Sequence, residues 1–131
     1  MSNISESKLI IIEDSSFARA TLYSQLKSLG YKNIDIPEDS SEGWELIAEK
    51  TVDGEPYDLI ITDLNMPGLD GMDLIEKIKF DPGSSSLKVL VISADADEII
   101  IHTVMKMGIE DYLVKPVATE DLDKTLKEIL K

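Results

Sequence analysis

At 131 residues the chain is one domain's worth, and its 43% hydrophobic content is ordinary for a globular protein. It has no cysteine, so disulfides and thiolate metal sites are excluded; 26 acidic against 13 basic residues give a formal charge of −13, which disfavours direct nucleic-acid or membrane binding. No apolar run of membrane-spanning length and no signal-peptide pattern is visible, so a soluble, cytoplasmic protein is expected.

Apolar runs alternate with helix-period segments five times, the pattern of βα units on a parallel sheet. A polar tail, expected to fray, precedes a first strand at about 8–13. The first helix begins at Ser15 or Ser16 and runs to Leu29, with Ala18, Leu22, Leu26 and Leu29 on one face and Gly30 as its stop. A weak second strand around 33–36 is a candidate edge. Asp39 and Glu42 have capping-box spacing and open a second helix to about Lys50, after which 52–56 forms a turn. The third strand, 57–62, is almost continuously apolar, so both its faces are expected to be covered. Asp70 caps a third helix whose Ile75 and Ile78 face the sheet, and 80–86 is a loop. A fourth strand covers 88–92, and a fourth helix spans roughly 97–107 with Gly108 as its stop. After a fifth strand at 112–114, Thr119 caps a last helix carrying Leu122, Leu126 and Ile129.

In such a sheet the carboxyl ends of all strands lie along one edge, where open α/β folds bind ligands. Asp63 closes the third apolar run and is the candidate reacting group. Glu13, Asp14, Ser93 and Lys115 would reach the same edge. Carboxylates brought together repel, and one would become neutral unless a cation intervened. A hard divalent ion resolves this: Mg²⁺ takes one or two carboxylates, a phosphate oxygen and several waters. Lys115 is a compact charge able to hold a phosphoryl oxygen or Asp63 itself, and Ser93 offers a hydroxyl donor. The set suits phosphoryl transfer, in which a carboxylate can be the nucleophile and become an aspartyl phosphate.

Each of these residues also has a plainer reading. Asp63 could be a turn carboxylate, Glu13 and Asp14 caps of the first helix, Lys115 a solvated turn lysine, and Tyr112 a packing aromatic. His102, the lone histidine, reads as a partly exposed bystander, and Trp44 as semi-buried helix packing. The stretch around Gly68 and Gly71 lacks the Gly-Lys-Ser/Thr ending of a phosphate-binding P-loop.

Taken in order, Glu13-Asp14, the stretch from Asp63 through Leu64-Asn65-Met66-Pro67-Gly68-Leu69-Asp70 to Gly71, Ser93-Ala94, Tyr112 and Lys115-Pro116 resemble the receiver domain of bacterial two-component response regulators, the CheY-like family. The resemblance runs from Lys8 to about Leu130. It implies a flavodoxin-like five-stranded parallel sheet in the order 2-1-3-4-5 with helices on both faces. It also implies one receiver domain over 1–131 (core about 8–130), with no effector domain. Asp63 then becomes the phosphoacceptor, attacking a phosphohistidine of a histidine kinase or histidine phosphotransfer protein. Mg²⁺, with Mn²⁺ an acceptable substitute, is ligated by Asp14, Asp63 and the Asn65 backbone carbonyl, and by Glu13 through water. Ser93, Lys115 and the Ala94 backbone bind the phosphoryl group. Ser93 and Tyr112 form the switch, the bond before Pro116 is cis, and Asn65 and Asp95 tune dephosphorylation. The expected output is a changed face of the fourth helix, fifth strand and fifth helix, read by a protein partner. The protein is expected as a monomer or a phosphorylation-promoted dimer, with self-phosphorylation and autodephosphorylation but no turnover of an external substrate.

In the fourth helix, Ile100, Val104 and Met107 facing the sheet would direct Ile101 and Met105 toward the flank shared with Tyr112, and Ile99 could not be buried with them all. That suggests a docking patch of Ile101, Met105 and Tyr112; a wide core-facing stripe is the alternative. Two other functions compete with the whole reading. A haloacid-dehalogenase-like phosphatase would also form an aspartyl phosphate, but with its nucleophile after the first strand. A receiver could also dock partners without being phosphorylated.

Overall fold

The computed structural model describes residues 4–66 and 68–131; residues 1–3 of the expected tail and Pro67 of the Asp63 motif lie outside the described residues. Strands β1 (Lys8–Ile12), β2 (Asn33–Asp35), β3 (Leu59–Thr62), β4 (Val89–Ser93) and β5 (Asp111–Val114) form one parallel sheet in the order 2-1-3-4-5. Helices α1 (Ser16–Ser28), α2 (Ser40–Val52), α3 (Gly71–Phe80), α4 (Glu98–Met105) and α5 (Thr119–Leu130) alternate with them. The topology is the flavodoxin-like one implied by the sequence.

Alternation along each strand decides which layer a side chain serves. Leu9, Ile11, Leu59, Ile61, Leu90 and Ile92 pack with Leu22 and Leu26 of α1 and Leu122, Leu126 and Ile129 of α5. Ile10, Ile12, Ile60, Val89 and Val91 pack with Ile47 of α2, Leu74, Ile75 and Ile78 of α3, and Val104 of α4. Every residue of β3 and β4 is buried, which explains why both read as unbroken apolar runs. β2 is the short edge strand. The Tyr57 hydroxyl, just before β3, holds it by donating to the Asp35 carboxylate at 2.5 Å. Burial, and then that carboxylate, push the Tyr57 phenol far above its ordinary range, so it remains the donor. Tyr57→Phe is expected to lower stability by about 1 kcal/mol, seen as an earlier urea midpoint at unchanged slope. An unshifted midpoint would mean that the edge strand does not depend on this bond.

Most boundaries agree with the sequence reading to within a residue or two, the ordinary uncertainty of element ends. Asp70 caps α3 through the Asp73 N–H at 2.9 Å, and Asp39 caps α2 through the Glu42 N–H at 2.8 Å. The box around Asp39 does not close on itself, because the Glu42 carboxylate accepts from the Glu38 N–H instead. Ser15, not Glu13 or Asp14, caps α1 by accepting from the Ala18 N–H at 3.3 Å. α4 stops at Met105 rather than Met107: the Gly108 N–H bonds the Met105 carbonyl at 3.2 Å, and Gly108 takes the left-handed backbone (φ 97°) that ends the helix. Thr119 is not the cap of α5. Ala118 holds that position without a side-chain bond, and Thr119 is the first helical residue. Within the expected tail, residues 4–6 form a 3-10 turn, and the Asn33 side chain donates to the Glu6 carbonyl at 3.1 Å.

Candidate functional site

Strand register brings the acidic residues together. Ile12 pairs with Thr62, so the chain leaves β1 at Glu13 and β3 at Asp63 side by side, and the Asp63 N–H extends the ladder to the Ile12 carbonyl at 3.1 Å. Farther along the sheet Ser93 pairs with Val114, and the Lys115 N–H donates to the Ser93 carbonyl at 2.8 Å. β1 and β3 flank the point where the strand order reverses, the crevice that open α/β sheets use for ligands.

The Lys115 ammonium spans the two acids, 2.5 Å from Glu13 Oε1 and 3.0 Å from Asp63 Oδ2. Both carboxylates are buried, with Glu13 6% and Asp63 9% exposed, so the ion pairs are poorly screened. The remaining oxygens are also held: Ser15 N–H donates to Glu13 Oε2 at 3.1 Å, and Leu64 N–H to Asp63 Oδ1 at 2.6 Å. These contacts split the pair. Burial pushes the Glu13 carboxyl above its ordinary value, and the Lys115 and Ser15 hydrogen bonds only partly offset it. Burial acts on Asp63 in the same direction, but there Lys115, the Leu64 N–H and the Ser93 hydroxyl outweigh it and hold the carboxyl below the usual value. The surroundings of Asp63 thus favour its ionised form more strongly than those of Glu13 do. Burial alone would lower the Lys115 ammonium, yet its two carboxylate partners raise it, so it keeps its charge.

Ser93 is fully buried at the end of β4, and its hydroxyl accepts from the Asp95 N–H at 3.2 Å. The Tyr112 hydroxyl donates to the Asp95 carbonyl at 2.7 Å, with the ring buried under α4 at 8% exposure. The phenol is thus turned inward and tied to the loop that follows Ser93. Burial raises the Tyr112 phenol, which keeps it a donor. The Asp95 carboxylate points along the chain and accepts from the Asp97 N–H at 3.0 Å.

The remaining sequence candidates differ in how closely they approach. Asp14 and Asn65 are exposed on the loops after β1 and β3. Ala94 and Pro116 line a cleft of about 520 Å³ with Glu13, Asp63, Lys115 and the apolar inner side of α1. The Lys115–Pro116 peptide is cis. The α4 patch needs correction: Ile101 is half-buried and packs on the core, while Ile99 is 75% and Met105 38% exposed. Tyr112 is buried and offers no apolar surface there. His102 is exposed, and Trp44 is half-buried against the α2–α3 side of the core, with the Lys77 ammonium 6.0 Å from its ring.

Several contributors carry no local sequence signal. Arg19 of α1 donates to the Glu13 carbonyl at 3.2 Å. Gln25 of α1 donates to the Val117 carbonyl at 2.9 Å and to Thr119 Oγ1 at 3.1 Å, across the Lys115 loop. The Ser40 hydroxyl at the start of α2 donates to the Leu69 carbonyl, tying α2 to the loop after Asp63. Gly71 lies so close to Asp63 that a Cβ there would stand 2.0 Å from the Asp63 carbonyl oxygen. The long separations in sequence hide Gln25 and Ser40 from any pattern search.

Asp14, Asp63 and the Asn65 carbonyl provide only hard oxygen donors, and each Asp63 oxygen keeps acceptor capacity beside its present partner. Among the described residues no cluster of three or more Asp, Glu, His or Cys side chains is assembled as a metal cage. Few carboxylates, with water and phosphate completing the shell, is the donor set suited to Mg²⁺ rather than to a fully protein-ligated ion. Among the described residues no helix is long and apolar enough to cross a membrane.

Residues 9–127 match the family described as response regulator receiver domain. The chain is 30% identical over 123 residues to the chemotaxis protein CheY1 of Helicobacter pylori, covering 94% of this chain and 96% of that protein. Among solved structures, a response regulator receiver domain from Clostridium thermocellum superimposes with TM-score 0.82 at 27% identity, over 95% of this chain and 94% of that one. A second has the same fold: the receiver domain of a sensor histidine kinase from Pseudomonas aeruginosa, described with magnesium in its active-site cleft. It gives TM-score 0.82 at 22% identity and covers 95% of this chain and 98% of that one.

Proposed function

The chain belongs to the response regulator receiver domain family, and from that premise we propose that Asp63 accepts a phosphoryl group from the phosphohistidine of a histidine kinase or histidine phosphotransfer protein. The observation that carries this reading is the Lys115 bridge: a buried aspartate at a strand's carboxyl end, with an ammonium 3.0 Å from one of its oxygens. Asp63 attacks phosphorus. The phosphorus–nitrogen bond breaks, its electron pair returns to the imidazole, and Asp63 becomes an acyl phosphate. Lys115 neutralises charge on the phosphoryl oxygens, and the buried Ser93 hydroxyl and the Ala94 N–H are the further donors. Glu13 shares Lys115 and keeps it beside Asp63.

Asp14, Asp63 and the Asn65 carbonyl are the residues suited to hold Mg²⁺, with Glu13 acting through water. When bound, the ion supplies positive charge that neutralises the entering phosphoryl group. The nucleophile follows β3 rather than β1, which argues against a haloacid-dehalogenase-like phosphatase. Asp63 with its counterion favours phosphorylation over purely passive docking.

Signalling follows from the Ser93 and Tyr112 connection to the Asp95 loop, the segment that leads into α4. A phosphoryl group that draws on the Ser93 hydroxyl biases that loop, and with it the flank of α4, β5 and α5 offered to a protein partner. Exposed apolar side chains on this flank include Met105 of α4 and Val114 of β5. The CheY relatives are matched over 92–96% of their own length, which supports signalling through a partner by a domain of this size.

Incubation with a small acyl phosphate and Mg²⁺ is expected to add one phosphoryl mass to the intact protein, on the peptide carrying Asp63, and a chelator is expected to abolish the gain. An unchanged mass in the presence of metal would remove the proposal.

A further inference from the structure

The loop that carries Lys115 is weakly tied by its own elements. β5 ends one residue before it, at Val114, and the Lys115 N–H bond to the Ser93 carbonyl is its attachment to the sheet. α5 begins at Thr119 with Ala118 as its cap residue, whose methyl side chain makes no capping bond. A helix start without a side-chain cap is a poor anchor for the residues before it.

Gln25 supplies the missing anchor from another element. Its Nε2 donates on both sides of Ala118, to the Val117 carbonyl at 2.9 Å and to Thr119 Oγ1 at 3.1 Å. The residue is half-buried in the cleft that Lys115, Pro116 and Val117 also line, with Ala18, Leu22 and Ile92 as apolar neighbours. An amide in such surroundings is retained at a cost unless its donors are used, and here both are. The same helix holds the acidic side of the site, through the Arg19 bond to the Glu13 carbonyl at 3.2 Å. α1 therefore grips both loops whose side chains meet in the Lys115 ion pairs.

We propose that Gln25, with Thr119 as one of its acceptors, is a positioning residue for Lys115: it sets where the ammonium meets Asp63 and the phosphoryl group that Asp63 receives. This rests on the phosphoacceptor reading for its consequence, though not for its geometry. Gln25 touches no reacting atom and acts through the loop.

The test uses Gln25→Leu, close in volume but without donors, and Thr119→Val, which removes one acceptor. Initial rates of phosphoryl uptake from a small acyl phosphate with Mg²⁺ are followed by intact mass across donor concentrations, under conditions where melting curves show each variant folded. Gln25→Leu is expected to lower the saturating rate about tenfold, with Thr119→Val smaller in the same direction. In a Lys115→Ala background Gln25→Leu is expected to add no further loss, because the group it positions is gone. A wild-type rate in Gln25→Leu, or an equal loss in both backgrounds, would overturn the proposal. A second readout is independent of phosphorylation: reductive methylation of Lys115, read on its peptide, is expected to be faster in Gln25→Leu and Thr119→Val. Equal methylation rates also overturn it. A wild type that methylates as expected but takes up no phosphoryl group sinks the acceptor reading while leaving the Gln25 clamp standing. Should Gln25→Leu fail to fold, Thr119→Val carries the same two measurements.

Discussion

Asp63→Asn is expected to take up no phosphoryl group from an acyl phosphate under conditions that fully modify the wild type, while remaining folded to within about 1 kcal/mol of it. The two halves of this expectation have separate causes. An amide oxygen is neutral and cannot form the acyl phosphate, so the nucleophile is lost outright. An amide keeps only one of the side chain's two hydrogen bonds, because an NH₂ donor replaces the oxygen that meets Lys115 at 3.0 Å. The fold survives because the lost partner, Lys115, is not left as an unpaired charge. The amide oxygen still accepts the Leu64 N–H, which meets Asp63 Oδ1 at 2.6 Å, and Lys115 keeps Glu13 at 2.5 Å. Substitution also removes Asp63 as a charge that repels Glu13. Intact mass and thermal melting on the same preparations check both halves. An equal mass gain in the variant would mean that another residue is the acceptor. A collapsed fold would mean that the Asp63 charge is structural, and that the loss of uptake cannot be assigned to chemistry.

The residues of the ion-pair centre were legible because sheet architecture turns sequence order into position. A run of apolar residues that ends in a carboxylate delivers it to the strand's carboxyl edge, and parallel pairing brings Glu13, Asp63 and Lys115 to the same edge. Local patterns fail where a long-range contact decides. Thr119 has the chemistry of a helix cap, yet the cap falls on Ala118, and the Thr119 hydroxyl serves an amide 94 residues away in sequence. Ile99-Ile100-Ile101 gives periodicity no way to choose a face, since all three are apolar. How α4 sits on β4 and β5 buries part of Ile101 and leaves Ile99 in solvent. Asp14 was legible as an acid, but its turn leaves it exposed, while Arg19, which holds the carbonyl of its neighbour Glu13, resembles any helical arginine in the sequence.

Gly71 is the other position where a small change should have a large effect. It is the first residue of α3, and its N–H donates to the Leu64 carbonyl at 2.8 Å, folding the loop after β3 back onto the acceptor residue. The fold allows no side chain there. A Cβ would lie 2.0 Å from the Asp63 carbonyl oxygen, 2.6 Å from Leu64 Cα and 2.9 Å from the Asp63 carbonyl carbon. All three are backbone atoms at the end of a fully buried strand, so no rotamer change relieves the overlap. Gly71→Ala must move either the start of α3 or the peptide of the acceptor itself. The expected cost is about 3 kcal/mol or more, a fall of roughly 10 °C in melting temperature. Uptake should fall as well in the fraction that remains folded, because the Leu64 N–H that holds Asp63 Oδ1 belongs to the displaced peptide. The pairing of the two losses is the informative part. Gly43, whose added Cβ would meet Ile12 Cδ1 at 2.9 Å and Cγ1 at 3.0 Å, provides the control: Gly43→Ala presses on side-chain atoms rather than on the backbone. It should cost less stability and leave the uptake rate of the folded protein unchanged. Similar rates for the two folded variants would show that the close approach at Gly71 supports the fold without aligning the acceptor.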